Sequence, residues 1–359
     1  MVDGATREGK ITLMRHDEDF SSEAAAAPVH RVTAQPESLP KVSLIAPVYN
    51  AGPHYSTCFE SLCRLAYPPE LLEVLVIDDC STDGTREYLQ RQRPPDFIHR
   101  LYPEKNLGRS GARNLGLERA GGSVVIFLDG DMEIQADFIH RHVEELSRPG
   151  REAVIGRVDP APWLPKSKLN RYLYDYPRRG ARQFGPDRPV AFQYLLTHNL
   201  SLTRTALEAG GALDEAFTGY GGEDTLFGYR LTGKFPNGLF YCDLPWARHH
   251  HHRTIGQQMS DFRHYGAHNL PLLMNRHPEI ATPLAADFVW PLAGSYFFRK
   301  RLLGRLVFNP FTRALAWLGW GVLPYPASNY PVRFLFVASV IAGLRRYLRG
   351  RQPPARSEQ

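Results

Sequence analysis

The run VVIFLDGDMEI, Val124 to Ile134, constrains this chain more than any other. Five apolar residues, enough for a buried strand, end in two aspartates with one glycine between them. Carboxylates are costly to bury without compensation, so this strand end calls for a metal ion, a helix end or water. The pattern has a precedent upstream. In LEVLVIDDCSTDGT a strand, Val74 to Ile77, ends in Asp78 and Asp79, and a Ser/Thr/Asp/Gly turn then leads into the helix REYLQRQ. KVSLIAPVYN supplies an earlier strand, Val42 to Ala46, running into a turn at Pro47. STCFESLCRLAYPP reads as a helix stopped by Pro68-Pro69, Phe97 to Leu101 as a short strand, and NLGRSGARNLGLERAGG as a helix closed by Gly121-Gly122. Alternating strands and helices predict an α/β fold, a mostly parallel sheet flanked by helices, with ligands at the carboxyl ends of the strands. Asp78, Asp79, Asp129 and Asp131 all fall at such ends. Their mutual repulsion would be relieved by a bound cation and by hydrogen-bond donors of a ligand.

The remaining sequence bounds this expectation. At 359 residues, 43% hydrophobic and 22% charged, the chain has globular composition. The first 38 residues lack apolar periodicity and are rich in Ala, Ser, Pro and Glu, so a disordered arm is expected there, with no secretory signal. Cys58, Cys63, Cys80 and Cys242 form no CxxC pair and read as reduced packing residues of a cytoplasmic protein. There are no internal repeats, no GxGxxG and no GxxxxGK[ST], which argues against a Rossmann dinucleotide enzyme and a P-loop NTPase. Phosphates, if bound, must be held by a metal and side chains.

VSLIAPVYN, LVIDDCSTDGT, NLGRSGARNLGL, VVIFLDGD and GYGGEDTLFGYRL occur in the order and spacing of inverting family-2 glycosyltransferases of the GT-A fold. The resemblance runs from about Lys41 to His277. The stretch from GGALDEAFTGYGGEDTLFGYRL to ARHHHHR most resembles the branch of chondroitin-type polymerases and galactosyltransferase-like enzymes. The resemblance implies roles position by position. Asp79 contacts the uracil of a UDP-sugar, and Pro47 and Tyr49 form the loop beneath the nucleotide. Asp129 and Asp131 hold a divalent cation and the donor ribose, with Gly130 between them. Asp224, next to Glu223, is the catalytic base. One histidine of the run 249–252 is a further metal ligand, His249 first and His251 second. His198 and Asn199 match a segment near the acceptor. The expected architecture is a GT-A domain over residues 39–280 and C-terminal helices over 281–359.

The residues argue the same chemistry independently. Loss of a diphosphate leaving group needs counter-charge, which Mn²⁺ or Mg²⁺ on hard carboxylate oxygens supplies; an imidazole ligand favours Mn²⁺. The acceptor hydroxyl needs a carboxylate base, and water must be excluded. Gly219, Gly221 and Gly222 allow close substrate approach, with Tyr220 able to stack on a sugar. Each position also has a plain structural reading. Asp129 and Asp131 could be loop acids, and Glu223 and Asp224 could serve the helix dipole at the start of EDTLFGYRL. Arg109, Arg113 and Asn114 could bind phosphate or line a solvated helix, and Asn106, at the start of that stretch, is a donor-binding candidate. On an extended segment only alternate histidines face one site. The rival functions are a nucleotidyltransferase on a similar sheet, disfavoured because PVYNAGPHY has no lysine, and a noncatalytic glycan-binding or scaffold protein.

From Phe288 to Ser357 there are eleven Arg and Lys and no Asp or Glu, so the rest of the chain is slightly acidic. Apolar and aromatic residues are interleaved with these arginines. The longest uncharged apolar run, Phe334 to Leu344, is too short to span a bilayer. In-plane helices on an anionic membrane, with Trp290, Phe297, Phe298, Trp317 and Trp320 among the lipids, are the expectation; helices packed on the domain are the alternative. Nucleic acid is not an expected partner. The predicted setting is the cytoplasmic face of a membrane.

Overall fold

The computed structural model describes residues 39–350. The expected N-terminal arm, residues 1–38, lies outside the described residues. Strand β1 (Val42–Val48) is followed by helix α1 (Tyr55–Cys63), β2 (Leu72–Asp78), α2 (Thr85–Arg91), β3 (Ile98–Leu101), α3 (Gly108–Leu117) and β4 (Val124–Leu128). The sequence places these strands within one or two residues. Helix α1 ends at Cys63, earlier than the proline pair, and leaves Leu65 beyond the helix. Next come β5 (Met132–Ile134), α4 (Phe138–Leu146), β6 (Ala153–Pro160), a short α5 (Lys168–Asn170), β7 (Asn199–Thr203), α6 (Arg204–Gly210), α7 (Glu223–Lys234) and β8 (Leu239–His249). Helices α8 (Ile255–Ala267), α9 (Asn269–Arg276), α10 (Ser295–Val307), α11 (Pro310–Val322) and α12 (Asn329–Gly350) complete the described chain.

The eight strands form one sheet in the order β3-β2-β1-β4-β7-β6-β8-β5. Strands β3, β2, β1 and β4 are parallel. Their apolar runs are buried on both faces, as parallel strands covered by helices must be. In this register Val48 lies level with Asp78, and β4 pairs alongside β1, so the carboxylates following β2 and β4 emerge on one edge. The other half of the sheet positions the histidines. β5 runs antiparallel to β8, with Met132 opposite His249, which brings the histidine run beside Asp131.

Beyond the sheet, α8 and α12 pack across glycines. A Cβ at Gly266 would stand 2.1 Å from the Val340 carbonyl oxygen, and one at Gly343 2.1 Å from that of Arg263. The two backbones therefore approach as only glycine allows. The apolar run 334–344 is spent on this contact: Leu335, Phe336, Ala338, Ile341 and Leu344 are all buried. Leu344 shares a core with Phe217, Leu270, Ile280 and Trp290, so residues on both sides of position 280 pack together. Among the described residues no helix is long and apolar enough to cross a membrane.

The crossing gives a stability prediction. Gly343→Val should lower unfolding free energy by about 1–3 kcal/mol, the usual cost of overpacking. Gly233→Ala, where an added Cβ meets nothing within 4 Å, should hold or raise it. Urea midpoints measure both; an unchanged midpoint for Gly343→Val would mean that α12 does not dock on α8.

Candidate active site

A cavity of about 710 Å³ opens at the carboxyl ends of β1, β2 and β4. Its walls come from α3, the segments around Tyr174 and Leu195, the start of α7 and the inner face of α8. Pro47, Tyr49, Asp79, Asn106, Arg109, Arg113, Asp129, Gly130, Asp131, His198, Tyr220, Gly221, Gly222, Glu223, Asp224, His249 and His251 all line it. Asp78 and Asn199, two of the expected site residues, do not. Asp78 is fully buried, with its carboxylate held by the Arg86 guanidinium and the Ser81 N–H. Asn199 is also fully buried. Its Oδ1 bonds His142 Nε2, and its amide donates to the carbonyls of Arg157 and Pro245. Asp78 ends β2 and Asn199 begins β7, and both are spent on internal hydrogen bonds beside the cavity. Asn114 also turns elsewhere, tying the α3 helix to Leu213 and Glu215.

On the β2 side, Asp79 organises the loop ahead of α3. Its two carboxylate oxygens accept the N–H groups of Leu107 (2.6 Å) and Gly108 (2.9 Å), and Asn106 donates back to the Asp79 carbonyl. Burial raises the Asp79 pKa, and the two N–H bonds hold it down.

The glycine of Asp-Gly-Asp has a steric cause. A Cβ on Gly130 would lie 2.7 Å from the Pro47 carbonyl oxygen, to which the Gly130 N–H donates. β4 can therefore pass tightly over the end of β1, throwing the two aspartates to different partners. Asp129 bonds Arg113 Nη2 at 2.5 Å. Asp131 lies 3.2 Å from His249 Nε2 and 3.9 Å from His251 Nδ1. Burial would raise the Asp131 pKa, but His249 outweighs it, and the carboxyl sits well below its ordinary value. His249 is the counterpart: burial opposes its charge, Asp131 favours it more, and its pKa is raised. On the other ring nitrogen, His249 Nδ1 meets the Tyr174 hydroxyl at 2.9 Å, which fixes the ring orientation. His250 alternates outward, bonding Glu133 and Trp163, as expected of an extended segment.

This pair suits a divalent cation. Among the described residues Asp131 Oδ1 is buried without a hydrogen-bond partner, beside an oriented imidazole. A hard oxygen and one nitrogen match Mn²⁺ or Mg²⁺. Among the described residues no three His, Cys, Asp or Glu side chains form a complete cage. The remaining ligands would have to be phosphate oxygens and water, the usual arrangement for these ions in phosphoryl-bearing sites.

At the opposite wall α7 begins with Glu223 and Asp224. Asp224 Oδ1 accepts the Thr197 hydroxyl at 2.7 Å. Burial raises the Asp224 pKa, with Arg113 and the Thr197 bond acting against it. Glu223 is raised as well, first by burial and then by the Asp224 charge. His198 is neutral, its pKa pushed down to about 4 by burial. Arg113 connects the two walls. It is buried, pairs with Asp129, and stays charged because Asp129, Asp224 and Glu223 offset its desolvation.

Three contributors were not singled out in the sequence. Tyr174 and Thr197 carry no motif of their own, although Thr197 directly precedes His198. Asn269, in a helix without polar signature, donates to the carbonyls of Thr218, Tyr220 and Gly221. That bond set holds the loop whose glycines, Gly219, Gly221 and Gly222, all have positive φ. The Tyr220 ring faces the guanidinium groups of Arg109 (5.8 Å) and Arg253 (5.5 Å).

Residues 43–203 match the family model described as Glycosyl transferase family 2. Validoxylamine A glucosyltransferase of Streptomyces hygroscopicus subsp. limoneus is 30% identical over 58% of this chain and 51% of its own length. The putative teichuronic acid biosynthesis glycosyltransferase TuaG of Bacillus subtilis is 41% identical over 29% of this chain and 41% of its own length. The chain thus spans about half, or less, of these relatives. A solved mannosyltransferase, PcManGT from Pyrobaculum calidifontis in complex with GDP-Man and Mn²⁺, has the same fold: TM-score 0.53, 17% identity, covering 90% of this chain and 91% of that one. The fold is GT-A.

Removing the loop clamp tests its role. Asn269→Ala should leave three carbonyls without this donor and speed hydrogen exchange in residues 218–222 by about tenfold, equivalent to one lost hydrogen bond. Unchanged exchange in that loop would remove Asn269 from its support.

Proposed function

We propose that the protein is a metal-dependent inverting glycosyltransferase. It moves a hexosyl group from a UDP-sugar to a hydroxyl of a glycan or lipid-linked acceptor in cell-surface polysaccharide or glycoconjugate synthesis. The observation that carries the reading is one cavity with two chemically distinct walls: Asp131 with His249 on one side, Asp224 with Thr197 on the other, and Arg113 between them. The chondroitin-polymerase and galactosyltransferase-like branch is the proposed neighbourhood, on the strength of the GYGGEDTLFGYRL stretch. The cytoplasmic face of a membrane is the proposed setting.

In this reading the acceptor oxygen attacks the anomeric carbon as the bond to the diphosphate oxygen breaks, and the diphosphate leaves with that electron pair. Asp224 takes the acceptor proton; its raised pKa makes it a stronger base than an ordinary aspartate. A single displacement inverts the anomeric centre, and it needs one base and no protein nucleophile. Asp131 and His249 would hold the cation, which when bound supplies counter-charge to the diphosphate. Asp79 and the loop it ties would receive the nucleoside, with Pro47 and Tyr49 beneath it. Arg109 faces the same cavity and is available to the phosphates. His198, Tyr220 and the glycine loop stand on the acceptor side and close the site to water.

Donor-dependent release of UDP is the direct assay. Asp224→Asn should lower turnover by about 10²–10⁴ while leaving UDP affinity unchanged. Loss of UDP affinity with turnover retained would reassign Asp224 to donor binding. EDTA should abolish activity, and Asp131→Ala should cost on the order of 3 kcal/mol of transition-state stabilisation; full activity in EDTA would refute the metal dependence.

The pH profile adds a third check. Turnover should fall as pH drops through the raised Asp224 pKa, because the base works only when ionised. Thr197→Val removes a bond that stabilises the ionised form, so the acidic limb should move to higher pH. A limb that stays in place would detach Asp224 from that titration.

A further inference from the structure

We propose that helices α10 and α11 form a pre-built surface that inserts sideways into an anionic lipid bilayer, while α12 turns its apolar run mainly to the protein core. This deepens the membrane setting proposed above, and the observation that carries it is independent of the transfer chemistry. Of the eighteen large apolar side chains exposed among the described residues, eleven lie between Tyr296 and Leu323, on α10, α11 and the residue after α11. They fall at helical spacing. Phe298, Leu302 and Leu306 are four residues apart on α10, and Phe311, Leu315, Leu318 and Val322 follow i, i+4, i+7, i+11 on α11. A surface helix normally turns such a stripe toward the core. Here the stripe faces out: Leu306 is 66% exposed, Phe311 70%, Leu318 62% and Val322 68%. Helix α11 has no buried residue, and α10 has only Gly304.

Both helices are nonetheless fixed in place through polar contacts. Arg345 of α12 donates to the carbonyls of Gly304 and Phe308 at the end of α10. Lys300 bonds the buried Asp287 at 2.6 Å. Lys168 reaches the carbonyls of Trp320, Gly321 and Leu323 at the end of α11. The apolar stripes are therefore presented by a held scaffold.

Charge selects the occupant. Arg299, Arg305, Arg333 and Arg346 are exposed around the stripes, and no acid occurs between Asp287 and Glu358. Apolar side chains flanked by arginines whose heads reach outward match the headgroup boundary of an anionic leaflet. A second copy of this chain would bring the same uncompensated arginines against themselves, which opposes dimerisation through this face. The exposed aromatic residues of α10 and α11 are Tyr296, Phe298, Phe311 and Trp317. Trp290 is buried and stacked on Tyr347, and Trp320 packs beside Lys168, so these two are corrected out of the lipid-facing set. The arrangement also links membrane and cavity: α12 anchors α10 and crosses α8, whose Gln258, Phe262 and Tyr265 line the site.

Flotation of the full chain with two kinds of vesicle tests the surface. One set contains phosphatidylcholine alone, the other phosphatidylcholine with phosphatidylglycerol. The protein should float with the second set at low salt, at least about tenfold more than with the first, and added salt should weaken but not abolish this. Leu306→Glu with Leu318→Glu should reduce flotation by about tenfold or more, while UDP binding stays unchanged and so reports an intact fold. Arg299→Gln with Arg305→Gln should narrow the difference between the two lipids. No flotation at low salt, equal flotation with both lipids, or full flotation of the Glu variant would each overturn the proposal. So would a concentration-dependent dimer that the Glu variant dissociates, which would assign the face to a second copy. UDP release from a soluble acceptor assay is expected in the Glu variant, so failure of the membrane surface and failure of the transferase reading are seen separately.

Discussion

Arg113 is the cation around which the carboxylates of this protein are arranged. It is buried in α3, pairs with Asp129 at the end of β4, and lies in the field of Asp224 and Glu223 at the start of α7. Without it, three acids from two separate parts of the chain would face one another in a partly dehydrated cavity, and their mutual repulsion would favour protonation or separation. With it, Asp129 is held on one oxygen by Arg113, while Asp131 Oδ1 is buried without a hydrogen-bond partner among the described residues. The buried guanidinium also tempers the basicity of Asp224, whose pKa would rise further on burial alone. The two walls of the cavity thus share one electrostatic centre, placed there by a helix whose first residue also binds Asp79.

The sheet does the corresponding mechanical work. Parallel β1, β2 and β4 bring the acids to one edge, and the antiparallel pairing of β5 with β8 returns the chain so that His249 stands beside Asp131. The period of the extended chain then decides which histidines matter: 249 and 251 turn toward the cavity, and 250 turns to Glu133 and Trp163. A one-residue slip in that ladder would exchange these sets. The outer helices contribute through α12, whose glycine crossing with α8 braces one wall of the cavity.

Much of this was legible before any coordinates. The strands ending in aspartates identify themselves by apolar runs followed by acids, and helix α7 by its acidic start, because both depend on local pattern. Asp78 and Asn199 stand outside the cavity lining for a reason local pattern does not carry. Adjacent residues of an extended chain point to opposite sides, and whether Asp78 or Asp79 meets the cavity depends on Arg86 packing underneath. Tyr174, Thr197 and Asn269 were invisible because their importance lies in what they touch: an imidazole, a carboxylate and three carbonyls from distant segments. The tail divided similarly. Its basic, apolar composition was readable, but the assignment of stripe 334–344 to the core and of the α10 and α11 stripes to the outside depends on the glycine crossing.

The central claim is that the Asp131–His249 wall receives a diphosphate together with a divalent cation. Calorimetric titration of UDP into the intact protein tests this most directly, because it needs neither the sugar nor the acceptor. The account predicts micromolar-class binding in Mn²⁺ that weakens by about a hundredfold or more in EDTA, and in Asp131→Ala even with Mn²⁺ present. UDP affinity that is the same with Mn²⁺ and with EDTA would contradict it.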